Sequence, residues 1–171
     1  RSPNGGMSRS EIAARVMQVY EQRLAAFQAV DFDDLIGLPL KLLQRDAEAR
    51  SKWQEQFHHV LVDEYQDTNA LQAEILLRLK PAGDGVTVVG DDAQAIYSFR
   101  GATVENILEF PERFSPPAHV VVLEDNYRST QPVLDAANTL MAEGGRQFRK
   151  FLRGVRGGGA RPRYVTVQDD Q

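Results

Sequence analysis

Asp63 and Glu64 stand side by side at the end of the short apolar run Val60-Leu61-Val62. Two carboxylates delivered by the C-terminal end of a strand suit metal-assisted hydrolysis of a phosphate bond. One holds a magnesium ion that bridges phosphate oxygens, and the other orients the attacking water. Acidic pairs after strands also serve as surface turns and helix caps, so the pair alone leaves both readings open. The residues that follow, Tyr65-Gln66-Asp67-Thr68-Asn69 and then a helical pattern, strengthen the chemical reading and leave the other open. The usual partner of such a pair is missing from these 171 residues: they contain no G-x-x-x-x-G-K-[ST] run and no Gly-Lys dipeptide.

Two further runs carry groups suited to the same chemistry. In VVGDDAQAIYSFRGA, Val88 to Ala102, Gly90 permits a tight turn at a strand end, and Gln94 offers a neutral side chain to a terminal phosphate or a water. Tyr97, Phe99 and Arg100 lie close together there. Aromatic faces stack on unpaired bases and a neighbouring Arg meets a backbone phosphate, although an isolated Tyr-x-Phe is usually core. In LEDNYRST, Leu123 to Thr130, Arg128 sits just before a helix start, with Tyr127 beside it. A guanidinium fork can grip a phosphoryl oxygen as charge develops in a transition state, and Tyr127 can stack on a base. Local pairing of Arg128 with Glu124 or Asp125 is the plainer alternative.

These groups need strands and helices to position them. Ser8 and Glu11 form a capping-box pattern ahead of Ile12, Val16, Val19, Tyr20, Leu24 and Phe27, so an amphipathic helix is expected over 9–29. Asp31 can cap a short helix that Gly37 and Pro39 interrupt, and 40–56 reads as further helix with Trp53 and Phe57 as core anchors. Strands are expected at 58–62, 86–89, 119–123 and 163–168. Helices are expected after Thr68 or Asn69 to about 79, as a short helix or turn at 93–98, near Thr103, and from Ser129 or Thr130 to about Met141. The Gly- and Arg-rich run 144–159 reads as loop. Strands separated by helices make an α/β fold with a largely parallel sheet, covered on both faces. Ligands of such sheets gather at the carboxyl ends of the strands, where Asp63, Glu64, Gly90, Asp91 and Asp92 fall.

Bulk composition narrows the classes. The absence of cysteine excludes disulfides and thiolate metal sites, and three His leave few imidazole ligands. No apolar run approaches the roughly 18 residues of a membrane span. RSPNGG at the start has the look of a vector-derived leader, with Met7 resembling an internal start. Residues 144–171 carry seven basic groups against two acidic ones, a surplus of five; a net charge of −4 for the whole chain therefore leaves −9 on the rest. An acidic body with a basic end can meet nucleic acid through local patches, although this segment on its own reads as a solvated surface stretch.

Taken together, the three runs resemble the superfamily 1 DNA helicases of the UvrD/Rep/PcrA type over about residues 10–171. LVDEYQDTN is similar to their Walker B motif, VGDDAQAIYSFRGA to motif III and LEDNYRST to motif IV; DFDDLI at 31–36 resembles a segment that precedes Walker B. The resemblance implies a partial RecA-like (P-loop NTPase) parallel sheet with flanking helices. Residues 1–123 would be the later part of a first motor domain and 124–171 the start of a second. It implies ATP and Mg2+ as cofactors, with Asp63 holding the metal, Glu64 polarising water, and Gln94 sensing the γ-phosphate. Tyr127 would stack on adenine, Arg128 would act as an arginine finger, and Tyr97, Phe99 and Arg100 would contact single-stranded DNA. Asp33, Asp34 and Gln66 match the pattern without an assigned role.

The same resemblance implies a parent that translocates 3′ to 5′ on single-stranded DNA, acts at single-strand/duplex junctions, and works in the bacterial cytoplasm at the nucleoid with repair or replication proteins. Two departures stand out. Ala93 and Ala95 replace an acidic residue and a serine of GDDDQSIY, and the Walker A loop and motifs V and VI are missing, as in an internal fragment. The chain alone is therefore expected to be inactive. Two other readings stay open: a non-enzymatic module that binds single-stranded DNA or a partner, and a piece of a RecB/AddA-type helicase-nuclease.

Overall fold

The computed structural model describes residues 7–96 and 103–166. Tyr97, Phe99 and Arg100, the expected DNA contacts, lie outside them. Among the described residues the chain is mixed α/β with two small parallel sheets, each of two strands. In the first, β1 (Val60–Val62) lies beside β2 (Val86–Val88), with Leu61 opposite Thr87. The crossover between them carries helix α4 (Ala70–Leu79). Asn69 starts α4 with a reciprocal capping box to Gln72, both bonds at 2.9 Å.

One face of this sheet builds the core. Val60, Val62, Val86 and Val88 pack toward Tyr65, Leu76, Ile107 and Phe110. The last two come from α5 (Glu105–Leu108) and the 3-10 turn after it. Phe110 meets Tyr65 edge-on, with centroids 5.2 Å apart. The other face is open: Leu61 is 76 % exposed, contrary to a sheet covered on both sides.

The N-terminal helices follow their start signals. Helix α1 (Arg9–Ala26) begins at Ser8 with the expected capping box to Glu11. No residue of α1 is buried, and most of its apolar stripe is exposed. Asp31 and Asp34 cap each other reciprocally at the entry to α2 (Asp34–Arg45). Gly37 and Pro39 do not interrupt α2: it runs through them, and Leu40 and Leu43 bury its face. The expected single helix over 40–56 is instead divided at Asp46. Asp46 ends α2 and caps α3 (Ala47–Gln56) by accepting from the Ala49 N–H. Trp53 and Phe57 stack on each other at 5.5 Å at the surface, where Phe57 is exposed, so they do not anchor the core.

The second sheet pairs β3 (Asp125–Thr130) with β4 (Arg153–Arg156), and α6 (Gln131–Ala142) lies between them in sequence. β4 falls inside the Gly- and Arg-rich run expected to be loop. A parallel ladder is made by backbone, and side-chain amides secure its approach here. Asn138 accepts from the Leu152 N–H and donates to the Leu152 carbonyl, both at 2.9 Å, and the Gly154 N–H donates to Gln131 at 2.8 Å. Conversely, 119–123 is not a strand: no ladder partner lies beside it among the described residues, and Leu123 is 78 % exposed. Apolar run length signals a wish for burial, but a strand also needs a neighbour with free backbone groups. Nor do 163–166 form strand, and 167–168 lie outside the described residues. Among the described residues no helix is long and apolar enough to cross a membrane.

Candidate functional site

The chain leaves β1 through a sharp turn. Glu64 adopts the left-handed conformation, φ 50°, which side chains other than glycine adopt at a cost of roughly 1–2 kcal/mol. The turn is closed locally by the Glu64 N–H donating to Asp63 Oδ1 at 2.9 Å. It directs the chain into the 3-10 turn Tyr65–Asp67 and leaves both carboxylates exposed. The structure therefore puts Asp63 and Glu64 at the carboxyl end of β1, as expected.

The loop after β2 lies directly alongside. The Tyr65 N–H donates to the Val89 carbonyl at 2.9 Å, and the Val89 N–H to Val62 at 2.8 Å. Gly90 makes this approach possible: a Cβ there would stand 2.6 Å from Gln66 Oε1, 2.8 Å from Ile107 Cδ1 and 3.2 Å from the Tyr65 nitrogen.

A continuous hydrogen-bonded path joins the two loops. Gln66 Nε2 donates to Glu64 Oε2 at 2.7 Å, and its Oε1 accepts from the Asp91 N–H at 3.0 Å. The Asp91 carboxylate accepts from Gln94 Nε2 at 2.9 Å and from the Ala93 N–H at 3.1 Å. Thus Glu64 and Gln94, 30 positions apart in the sequence, belong to one network. Lys150 completes it, with Nζ 2.5 Å from both Asp91 and Asp92. Asp92 also accepts from the Phe148 N–H at 3.1 Å. Burial works to raise the Asp91 carboxyl, but hydrogen bonds from Gln94 and Lys150 outweigh it and hold the group below its ordinary range. For Lys150, burial works downward and is outweighed by the hydrogen bonds to Asp91 and Asp92, so its ammonium is held above its ordinary value. Burial pushes the neighbouring Tyr65 phenol up, against a smaller opposing effect of Arg113.

Tyr127 and Arg128 lie on β3, both exposed. Among the described residues no hydrogen bond or ion pair joins their side chains to the Glu64–Gln94 network. Nor does Arg128 pair with Glu124 or Asp125. Arg153 pairs with both instead, at 3.5 Å each, leaving the Arg128 guanidinium without a partner among the described residues. The basic segment is partly engaged in structure: Lys150 and Arg153 as above, and Arg146 beside Glu109 at 3.7 Å.

Sequence reasoning left Gln66 without a role and took Lys150 only as part of a basic stretch. For Gln66 a signal existed: an amide two positions after a carboxylate, in a turn, can donate to it while accepting elsewhere. For Lys150 nothing local pointed to Asp91 and Asp92.

The donor set can be tested against magnesium. Among the described residues no three His, Cys, Asp or Glu side chains converge on a cation site. Magnesium bound with a nucleotide typically takes one or two carboxylates and completes its shell with phosphate oxygens and water. Asp63, exposed and with Oδ2 unengaged by the described residues, fits that demand.

Residues 3–115 match the model of the UvrD/REP helicase N-terminal domain. The chain is 42 % identical over 163 residues to the ATP-dependent DNA helicase Rep of Escherichia coli (strain K12), covering 95 % of this chain and 24 % of that protein. It is 42 % identical over 160 residues to the ATP-dependent DNA helicase PcrA of Leuconostoc citreum, covering 94 % and 21 %. Against the ATP-dependent DNA helicase UvrD1 of Mycobacterium tuberculosis (strain ATCC 25618 / H37Rv) the identity is 44 % over 146 residues, covering 81 % and 19 %. The chain thus spans a quarter or less of the length of these relatives.

Proposed function

The chain belongs to the UvrD/REP helicase family, and from that premise we propose that it is part of an ATP-driven motor that moves on single-stranded DNA and opens duplex at single-strand/duplex junctions. The observation that supports this most is the Glu64–Gln66–Asp91–Gln94 path at the carboxyl ends of two parallel strands. It couples a water-activating carboxylate to a neutral amide suited to a terminal phosphate. That the relatives Rep, PcrA and UvrD1 are ATP-dependent DNA helicases favours this reading over a helicase-nuclease or a non-enzymatic module.

In this reading the sheet of β1 and β2 belongs to a RecA-like domain that ends near 123, and β3 opens a second. Asp63 holds magnesium, which when bound neutralises charge on the phosphate oxygens. Glu64 orients the attacking water and takes up its proton. Gln94 contacts the γ-phosphate, at the cost of its hydrogen bond to Asp91. Arg128, unpaired by the described residues, grips the phosphoryl oxygens as charge accumulates, and Tyr127 stacks on the adenine. Tyr97, Phe99 and Arg100 contact the DNA strand. Motion runs 3′ to 5′, in the bacterial cytoplasm at the nucleoid, in repair or replication.

The 171 residues alone are expected to show no ATP turnover, because they contain no Gly-Lys phosphate cradle. The test of function uses the longer protein that carries this chain, given a duplex with a 3′ single-stranded tail. ATP- and magnesium-dependent strand separation is expected. Tight binding to the tail without nucleotide turnover would support the non-enzymatic module instead.

A further inference from the structure

We propose that Gln66 is a positioning residue for hydrolysis, fixing the Glu64 carboxylate and tying it to the loop that bears Gln94. The inference rests on the ATP-hydrolysis reading above. Gln66 is only 2 % exposed, yet it points one end of its amide at an exposed carboxylate. Glu64 needs such a hold. Its backbone sits in the left-handed region, and Gln66 is the one side-chain donor to it among the described residues. The other end of the amide accepts from the Asp91 N–H. Three residues on, the Asp91 loop delivers Gln94. A shift of the loop backbone that carries Gln94 is thereby transmitted to the water-orienting carboxylate through two hydrogen bonds and one amide.

Few side chains can do this. An amide donates to a carboxylate and accepts from an N–H at the same time. A methionine of similar length does neither. A glutamate still accepts from Asp91, but once ionised it repels Glu64. The Gly90 backbone lies close against this amide, for a Cβ there would stand 2.6 Å from Gln66 Oε1. The titratable groups facing this position are Glu64, on its own turn, and Asp91, which is already paired with Lys150.

The test is single-strand-stimulated ATP turnover by the longer protein, comparing wild type with Gln66→Glu and Gln66→Met across pH, beside thermal melts and a Glu64→Gln control. At neutral pH both variants should lose about tenfold or more in kcat with KM for ATP nearly unchanged, because positioning is lost while nucleotide contacts remain. The Gln66→Glu deficit should shrink as pH falls, once the introduced carboxyl is protonated and donates to Glu64 again; the Gln66→Met deficit should not. Equal, pH-independent deficits in the two variants, or kcat at the wild-type level in Gln66→Met, would overturn the proposal. If Gln66→Glu does not fold, the kcat-against-KM split in Gln66→Met decides. A Glu64→Gln control with wild-type turnover would instead remove the hydrolysis reading on which the proposal stands.

Discussion

Lys150 and Asp92 form an ion pair 2.5 Å long between residues 58 positions apart, with side chains only 10 % and 3 % exposed. With Asp91 it makes a buried cluster of one ammonium and two carboxylates. This cluster fastens the segment after α6 to the loop after β2. On the proposed division near 123, it crosses from one motor domain to the next.

Removing the cation leaves two carboxylates side by side with little water. Lys150→Met should therefore destabilise the chain by about 3–5 kcal/mol, the usual cost of breaking a buried pair from one side. At roughly 2–4 °C per kcal/mol for a chain of this size, the loss is visible in a thermal melt. Asp92→Asn in the same background should recover part of it. A Lys150→Met variant within about 0.5 kcal/mol of wild type would show the pair to be dispensable.

The same cluster sets a pH window. Asp91 has a lowered folded pKa, so its contribution is present above the ordinary carboxylate value and is lost as pH falls through the lowered one. Lys150 has a raised folded pKa, so its contribution is complete below the ordinary lysine value and is lost as pH rises through the raised one. Stability measured by urea denaturation should be flat between these limits. Asp91→Asn should remove part of the acid-side decline, and Lys150→Met part of the alkaline one.

Gly90→Ala should weaken both fold and site. The added methyl meets Gln66 Oε1 and Ile107 Cδ1 at distances no Cβ tolerates, so the buried Gln66 and Ile107 side chains must shift. Overpacking of this kind costs about 1–3 kcal/mol. Turnover in the longer protein should fall further than the melt explains, since the Gln66 bridge is the contact displaced. Unchanged turnover at lowered stability would confine Gly90 to packing.

Arg128→Ala should leave stability unchanged, for the side chain is exposed and unpaired by the described residues. In the longer protein it should lower kcat by about a thousandfold or more, the loss typical of an arginine finger. A melt shift with full turnover would place Arg128 in the fold instead.

Much of this was legible in local patterns. The capping residues Ser8 and Asn69 mark the starts of α1 and α4, and apolar runs mark β1 and β2. Asp63 and Glu64 could be placed at a strand end because strand and turn are local signals. What escaped depends on distant partners. The run 119–123 has strand composition but no ladder neighbour among the described residues, while β4 has loop composition and gains its ladder from β3. Lys150 looks like any lysine of a basic segment until folding brings Asp91 and Asp92 to it. Asp46 divides a helix that apolar periodicity carries straight through.

The most direct measurement is ATP hydrolysis by the longer protein with saturating single-stranded DNA, wild type against Glu64→Gln, with nucleotide binding measured in parallel. The proposed mechanism predicts DNA-stimulated turnover in wild type, and a loss of about a hundredfold or more in the variant while ATP still binds. Turnover in Glu64→Gln equal to wild type would contradict it, for the carboxylate held by Gln66 would then have no part in the chemistry.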